Sequence, residues 1–288
     1  MSEYLDARLD GLRARVGGPW TQDKLSYLRK YVEAFMIAMA PKRAEGKWEQ
    51  LVYIDPLCGP GLDVDRHSGE EFPGSPLIAL STGPVFDRLF FGDLDPENTD
   101  ALRARIAPSA LPRVSLEPTD CHARVQEVVQ ALSRRTLGLA FIDPEGFEVH
   151  WRLFEMLSQR PIDILFLFPS MAIVRNLGRC VRESHSDIDN LWGNREWRDL
   201  PMAQAARGLS PTVEPGDAIY QSWAVAFCDR VATTLGYNYH DIKGPLCSNT
   251  RAPMYHLLFL SKNQAGLTIW RNVHRIGPDD QRNFVFDV

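Results

Sequence analysis

A short segment, LVYIDPLCGPG at residues 51–61, constrains this chain more than any other part of its sequence. Four apolar or aromatic residues lead to Asp55, and a turn containing Gly59 and Gly61 follows. This order predicts a buried strand that ends in an acid and a tight glycine turn. Glycine has no Cβ, so it permits positive φ and lets the backbone approach a ligand closely. We therefore predict a ligand site at the carboxyl end of this strand.

Three more segments of the same kind follow at the spacing of βαβ units. Each has an apolar strand that leads to an acid: Asp93 after residues 89–92, Asp120 after a strand near 114–116, and Asp143 after residues 139–142. With a fifth strand at 163–168 and helical segments between the strands, the pattern predicts an α/β protein with a mostly parallel, doubly wound sheet. The carboxyl ends of parallel strands share one edge, so we expect the four acids to surround one nucleoside-binding crevice.

The remaining segments suggest how the chain is organised. We predict an N-terminal helical cap at residues 1–50 and a Rossmann-like domain at residues 51–288, with a helical or irregular insertion at about 175–250. The polar stretch 63–73 is a candidate lid over the ligand. Two last strands, 254–261 and 267–270, are joined by a short connection, which predicts an antiparallel hairpin at one end of the sheet.

Composition and charge disfavour several classes of protein. The 288 residues carry a net charge of −5, so no global positive field favours non-specific binding to nucleic acid. The five cysteines are scattered, and we expect reduced thiols and no metal centre. No apolar run approaches the roughly 20 residues of a membrane span, and the first residues lack the pattern of a signal peptide. We expect a cytoplasmic protein.

Two nucleoside cofactors are candidates for the strand and its turn. A dinucleotide-binding fold has a G-x-G-x-x-G turn that opens directly into a helix, with a ribose-binding acid about 20 residues further on. Here no third glycine follows Gly61 at that spacing, and the next strand-end acid, Asp93, lies much further downstream. The pattern therefore disfavours NAD and favours S-adenosylmethionine.

Each strand-end acid has a suitable partner in S-adenosylmethionine. Asp55 can accept from the ammonium, Asp93 from the ribose hydroxyls and Asp120 from the adenine amino group, each bond contributing about 1.5–3 kcal/mol when buried. Taken singly, each acid has a second explanation, because a strand-end aspartate often caps the next helix or binds turn amides. The predicted cofactor-binding residues are Asp55, Leu57, Cys58, Gly59, Gly61, Asp93, Leu94, Asp120 and Cys121.

The segment after the fourth strand is the predicted acceptor loop. Many amino-group methyltransferases have a D/N-P-P-aromatic loop here, in which the acid and a carbonyl accept hydrogen bonds from the target amine. This chain has Asp143, Pro144, Glu145 and Phe147, with Gly146 before the aromatic residue, so its loop is a variant. Methyl transfer needs alignment and desolvation more than a strong base, although Asp143 or Glu145 could take a proton. An ordinary strand-end turn with a buried phenylalanine also explains the segment.

Several motifs together resemble the bacterial three-Cys-motif partner proteins. They are YIDPLCGPG at 53–61, GSPL at 74–77, FIDPEG at 141–146, FLFP at 166–169 with Arg175-Asn176, and YHLLFLSK at 255–262. The resemblance spans nearly the whole chain and implies a Rossmann-like class I S-adenosylmethionine-dependent methyltransferase fold. It also implies a partner, a separate radical-enzyme-like protein bearing three cysteines. The family usually has an aromatic residue where Leu57 stands and often a phenylalanine at Glu145.

Two functions follow from these observations. The first is an S-adenosylmethionine-dependent methyltransferase, releasing S-adenosylhomocysteine, whose unidentified acceptor is a nucleic-acid base or nucleotide-like group. Phe147 and the arginine-rich segment at 175–198 motivate that acceptor, although a solvated helix face also explains the arginines. The alternative is a non-catalytic, cofactor-binding scaffold that acts in complex with the three-cysteine partner.

Overall fold

Strands and helices alternate through most of the chain in the computed structural model, which describes residues 3–208, 218–248 and 252–275. The strands are β1 (Glu3–Asp6), β2 (Arg13–Gly17), β3 (Gln50–Asp55), β4 (Leu62–Asp65), β5 (Glu71–Pro73), β6 (Arg88–Asp93), β7 (Val114–Pro118), β8 (Thr136–Ile142), β9 (Ile162–Phe168), β10 (Tyr239–Cys247) and β11 (Pro253–Ser261). The helices are α1 (Pro19–Ala44), α2 (Ser75–Leu80), α3 (Pro96–Arg105), α4 (Cys121–Ala131), α5 (Trp151–Leu157), α6 (Ser170–Cys180), α7 (Asp187–Trp192), α8 (Pro201–Ala206), α9 (Ala218–Leu235) and α10 (Gln264–Arg275).

The central sheet has seven strands in the order β10-β11-β9-β8-β3-β6-β7. The five strands from β9 to β7 are mutually parallel, and β11 is antiparallel to both of its neighbours. The chain leaves β3 toward β6 on one side and returns to β8 on the other, which makes a topological switch point between β3 and β8. The predicted α/β fold, with a mostly parallel Rossmann-like sheet and an antiparallel end, is confirmed.

A second, small sheet joins the start of the chain to the segment after the glycine turn. Its order is β1-β2-β4-β5, and β2 runs parallel to β4 with Arg15 opposite Asp63. The prediction of a helical cap over residues 1–50 is therefore wrong for residues 3–17, and helix begins only at Pro19. The stretch 63–73 is not a free loop either, because β4 and β5 pair within it.

The antiparallel end of the sheet is built differently from the predicted hairpin. The predicted strand 267–270 lies inside α10, and β11 pairs instead with β10. The apolar residues of that run point to one face of a helix, where Leu267, Trp270 and Val273 are buried. Because β10 belongs to the central sheet, the insertion predicted at about 175–250 ends before residue 239.

Two apolar layers cover the faces of the central sheet. On one face α1 packs beside α10, and the ring of Tyr31 lies 5.1 Å from that of Phe259 and 5.9 Å from that of Trp270. On the other face α4, α5 and α9 cover the sheet, with Phe227 of α9 5.7 Å from Phe166 of β9. Burial of each such aromatic side chain contributes about 1.5–3 kcal/mol. This packing fixes α1 next to the carboxyl edge of the sheet.

Candidate cofactor-binding site

The glycine turn after β3 has the backbone geometry that its two glycines permit. Gly59 and Gly61 have φ values of +61° and +88°, which other residues rarely adopt. A Cβ at Gly61 would lie 2.8 Å from Leu102 Cδ1 of α3, whereas a Cβ at Gly59 would meet nothing within 4 Å. Gly61 therefore permits close packing on α3, and Gly59 leaves the backbone open on the ligand side.

Asp55, the last residue of β3, lies fully buried under this turn. Neither carboxylate oxygen has a hydrogen-bond donor in good geometry among the described residues, although the Ser75 hydroxyl and the Leu57 amide lie near enough to affect its charge. Burial, opposed by these donors and reinforced by Asp143, raises the pKa of Asp55 to about 7. A buried carboxylate without a donor is costly, so Asp55 fits a ligand that brings a hydrogen-bond donor or positive charge.

Asp93, the last residue of β6, faces a cleft of about 350 Å³. Its Oδ2 accepts from Gly59 N at 3.0 Å, and its Oδ1 accepts from Asp95 N at 2.9 Å and from Asn98 Nδ2 at 3.1 Å. Asp95 caps α3 by accepting from Glu97 N at 3.0 Å. Helix capping, the second explanation for an acid near a strand end, therefore applies to Asp95. An ionised carboxylate has about four acceptor positions, so Oδ2 of Asp93 can still accept from a ligand.

The other walls of this cleft come from four segments. Leu57 and Gly59 of the glycine turn, Leu94 after β6, and Glu145 of the acceptor loop lie along it, and so do Tyr4 of β1 and Arg15 of β2. Leu94 is 74% exposed, so its side chain is free to contact an apolar group of a ligand in the cleft. The volume lies within the usual range for small-molecule pockets, about 300–1,000 Å³.

Asp143, directly after β8, forms a buried ion pair with Lys24 of α1. Its Oδ2 accepts from Lys24 Nζ, and Arg15 Nη1 lies 3.9 Å from the same oxygen. Its Oδ1 has no hydrogen-bond partner among the described residues. Lys24 is only 2% exposed, and burial lowers its pKa against the opposing charge of Asp143. Asp63 of β4 is also buried nearby, where its charge acts on both Arg15 and Lys24.

The acceptor loop is held in shape by its own acid. Glu148 accepts from Glu145 N at 3.0 Å and from Gly146 N at 2.6 Å, and the Tyr255 hydroxyl donates to Glu145 O at 3.4 Å. These bonds order the backbone on the rim of the cleft. The loop therefore presents Glu145 on an ordered turn.

Two other residues of the acceptor loop lie away from the cleft. Pro144 is buried, and Phe147 is partly buried against the core layer under α5. Phe147 thus matches the simpler explanation of a phenylalanine packed in a strand-end turn. A role of Phe147 toward a base-like acceptor remains a prediction, and a contact with the acceptor would need the ring to leave this packing.

Asp120 and Cys121 are not among the residues that line the cleft. Oδ1 of Asp120 accepts from His122 N at 2.9 Å and from Ala123 N at 3.1 Å, so it caps α4. Cys121 is buried in the core, where burial raises the pKa of its thiol to about 12. The side chain of Asp120 is 56% exposed, so adenine recognition by this residue stays a prediction.

The side chains of Asp120, Cys121 and His122 also form a small cluster of potential metal ligands, all within 4.8 Å of one another. His122 Nε2 accepts from His150 N at 3.0 Å, which places the proton of a neutral ring on Nδ1, 3.3 Å from Asp120 Oδ1. The cluster is therefore satisfied by its own hydrogen bonds.

The arginine-rich segment divides into paired and exposed residues. Arg198 is buried and donates to Asp189, while Arg179 pairs with Glu183 at 3.0 Å and with Asp187 at 2.8 Å. Four arginines of the segment are exposed, namely Arg175, Arg179, Arg182 and Arg195. Arg195 lines a second cleft of about 340 Å³, which also includes His150, just after the acceptor loop.

Residues 3–24 contribute to the site, although no site residue was predicted among them. Tyr4, Arg15 and Lys24 all reach the cleft or the pocket beside it. One signal was present: Lys24 precedes Leu25, Leu28, Tyr31 and Val32, which form the buried face of α1, and a cation on such a face needs a buried partner. No comparable signal marks β2, because it pairs on one side with β4, which is distant in sequence.

These residues fit the predicted cofactor. Unpartnered buried oxygens on Asp55 and Asp143 can accept from an ammonium, and Asp93 can accept from ribose hydroxyls at the cleft. The open side of Gly59 allows the ligand to pass close to the backbone between them. The structure brings together Asp55, Asp93, Asp143 and the glycine turn, but it leaves Asp120 and Cys121 outside this group.

Comparison with solved structures finds several chains of low similarity. Protein LPL1258 from Legionella pneumophila has a TM-score of 0.48 and 12% identity, over 85% of this chain and 89% of that chain. A candidate methyltransferase from Escherichia coli, yhhF, has a TM-score of 0.38 and 11% identity, over 91% and 100% of the two chains. A candidate S-adenosylmethionine-dependent methyltransferase from Listeria monocytogenes has a TM-score of 0.37 and 9% identity, over 76% and 93%.

Similarity at this level gives no residue-by-residue correspondence, and the fold assignment stands on the strand order of this chain. No protein-family model matches the chain, and no curated protein sequence matches it significantly. Membership of the three-Cys-motif partner family is thus not confirmed. Among the described residues, no helix is both long and apolar enough to cross a membrane.

Proposed function

We propose that this protein is an S-adenosylmethionine-dependent methyltransferase whose cofactor lies across the carboxyl ends of β3 and β6. One observation carries the proposal: Asp55, buried without a donor under an open glycine turn, lies at the switch point beside the cleft that Asp93 lines. This is the position at which doubly wound sheets bind ligands. The methyltransferase-like fold supports the same conclusion.

The chemistry at the site is mostly alignment. The bound cofactor would supply an electrophilic methyl group on a sulfonium. Oδ1 of Asp143 is buried and unpartnered, so it can accept a hydrogen bond from an acceptor N–H or O–H and orient its lone pair. In the cofactor-free protein Lys24 holds the other oxygen of Asp143 and supplies its counter-charge. The ordered loop at Glu145 and the strands β1 and β2 form walls of the cleft, where a bound ligand would be partly shielded from water.

For the acceptor we propose a nucleic-acid base or nucleotide-like group. The second cleft begins at His150, directly after the acceptor loop, and offers the exposed guanidinium of Arg195 together with Asn190 and Asn194. An arginine side chain can bind a phosphate group, and asparagine amides can form hydrogen bonds with the edges of bases. The overall negative charge of the chain restricts such binding to this local surface.

A second function is favoured by the ion pair at Asp143. In an enzyme the acid of the acceptor loop is accessible to the substrate, whereas here it is paired to Lys24 in a buried position. A cofactor-binding scaffold for a three-cysteine radical-enzyme-like protein would tolerate this arrangement. Asp143→Asn separates the two functions when methyl transfer is measured at saturating cofactor, because an enzyme would lose transfer under that condition, whereas a scaffold shows no methyl transfer with or without the substitution.

Calorimetric titration with S-adenosylmethionine and S-adenosylhomocysteine tests the proposal. We expect saturable one-site binding to the intact chain and loss of binding in Asp93→Ala. Asp100→Ala is the matched control, because Asp100 is an exposed acid on α3 away from the cleft. Binding would justify a search with labelled methyl groups across RNA, DNA, protein and small-molecule pools. Absence of binding to the intact chain would contradict the cofactor assignment.

A further inference from the structure

A small pocket between the glycine turn and α1 collects buried charges of both signs. It is lined by the turn residues 57–61, by the carboxyl groups of Asp63 and Asp143, and by the cationic side chains of Arg15 and Lys24. Asp55 lies fully buried at the end of the same strand, and its charge interacts with that of Asp143. Three carboxyl groups thus surround two cations in a region shielded from water.

Polar atoms in and under this pocket lack partners. Among the described residues, Oδ1 of Asp143 and both oxygens of Asp55 have no hydrogen-bond donor in good geometry, although the Ser75 hydroxyl and the Leu57 amide lie near Asp55. The space is small, about 10 Å³, because the ion pair of Lys24 with Asp143 fills it. A ligand can enter only by separating that pair.

The charge of the ligand determines how much free energy it costs to separate Lys24 from Asp143. A ligand with only an anion or only a cation would leave one member of the buried pair without a partner, at a cost of several kcal/mol. A zwitterion can take up both: its carboxylate replaces Asp143 as the partner of Lys24, and its ammonium replaces Lys24 as the partner of Asp143. An α-amino acid has both groups at the required short separation.

We propose that this pocket recognises the amino-acid end of the cofactor, with Arg15 and Lys24 holding its carboxylate and with Asp55 and Asp143 holding its ammonium. The inference rests on the proposed function and deepens it, because it assigns cofactor binding to two residues from the N-terminal segment. Arg15 lines both the pocket and the large cleft, so it can reach the carboxylate while the nucleoside occupies the cleft. The third carboxyl group, Asp63, keeps the pocket suited to a ligand with net positive charge, such as the sulfonium form.

The test compares two ligands that share the thioadenosine group. S-adenosylhomocysteine carries the amino-acid end, and 5′-methylthioadenosine lacks it. By calorimetry we expect the intact chain to bind S-adenosylhomocysteine about 10- to 100-fold more tightly. Arg15→Gln and Lys24→Met should each lower the affinity for S-adenosylhomocysteine by about 10-fold or more. Neither substitution should change the affinity for 5′-methylthioadenosine. Lys24→Arg should retain part of the preference, since it keeps the charge.

The matched controls are Arg88→Gln and Lys47→Met, which remove exposed cations distant from the pocket and should change neither affinity. Arg15 is 19% exposed and its loss leaves the Lys24 ion pair in place, so Arg15→Gln carries the test if Lys24→Met fails to fold. Equal affinity of the intact chain for the two ligands would overturn the pocket assignment and leave the proposed function standing. Binding of neither ligand would overturn the proposed function itself. Parallel loss of both ligands in the folded Arg15→Gln variant would show that this residue acts on the fold and not on the carboxylate.

Discussion

The buried carboxyl group of Asp55 makes the stability of the cofactor-free protein depend on pH in a defined way. Burial raises its pKa to about 7, whereas an aspartate in an unfolded chain titrates near about 3.9. Between these values the folded chain holds a proton that the unfolded chain has released. Stability is therefore lost as pH rises from about 4 to about 7, by about 1.4 kcal/mol per pH unit and about 4 kcal/mol in total.

Asp55→Asn removes this dependence, because an amide carries no charge at any of these pH values. The buried amide hydrogens of asparagine add a cost of about 1–3 kcal/mol, but that cost does not change with pH. Relative to the unsubstituted protein, the variant should therefore gain about 3 kcal/mol in unfolding free energy between pH 5 and pH 8. The gain should level off above pH 7, as Asp55 finishes losing its proton in the folded chain.

Urea unfolding followed by tryptophan fluorescence at pH 5, 6, 7 and 8 measures the difference. Burial also raises the pKa of Asp163, to about 6, but that contribution is present in both proteins and cancels. Asp100→Asn, which removes an exposed acid, should show no such trend. A difference between Asp55→Asn and the unsubstituted protein that stays constant from pH 5 to pH 8 would refute the reasoning.

Three further substitutions test the turn and the ion pair. Gly61→Ala should destabilise the fold by about 2–4 kcal/mol in urea unfolding. The new Cβ would lie 2.8 Å from Leu102 Cδ1, at a residue whose φ is +88°. A loss below about 0.5 kcal/mol would contradict the close packing. Gly59→Ala should cost only about 1–2 kcal/mol but weaken binding of S-adenosylhomocysteine, since its Cβ faces open space; unchanged affinity would place the ligand elsewhere. Lys24→Met should lower the free energy of unfolding by about 3–5 kcal/mol, because it leaves Asp143 without its partner. Adding Asp143→Leu should restore most of that stability. Additive losses in the double variant would contradict a direct ion pair.

The parts of this fold that follow local rules could be predicted from sequence. Apolar runs of four to six residues ending in Asp55, Asp93 and Asp143 gave the parallel strands, because a strand buried on both faces needs a continuous apolar run. The start of α3 was equally local, since Asp95 and Pro96 supply the cap and the first helical position. The crevice could then be predicted as well, because the carboxyl ends of parallel strands lie at one edge of the sheet.

The parts that depend on distant pairing could not be predicted in this way. β1 and β2 pair with each other locally, but β2 also pairs with β4, about 50 residues further along. The run 267–270 is too short for its period to separate helix from strand, and packing on α1 decides for helix. The closure of the site by Lys24 and Arg15 depends on both of these long-range contacts. The strand-end acids and the glycine turn were therefore predictable, whereas Arg15 and Lys24 were not.

A crystal structure of the protein with saturating S-adenosylhomocysteine tests the central claim most directly. We expect the ribose within hydrogen-bond distance of Asp93 and the amino-acid end beside Asp55, with Lys24 separated from Asp143. Ligand bound at another surface, or none after saturation at concentrations well above those of cellular cofactor, would contradict the assignment of this crevice as the cofactor site.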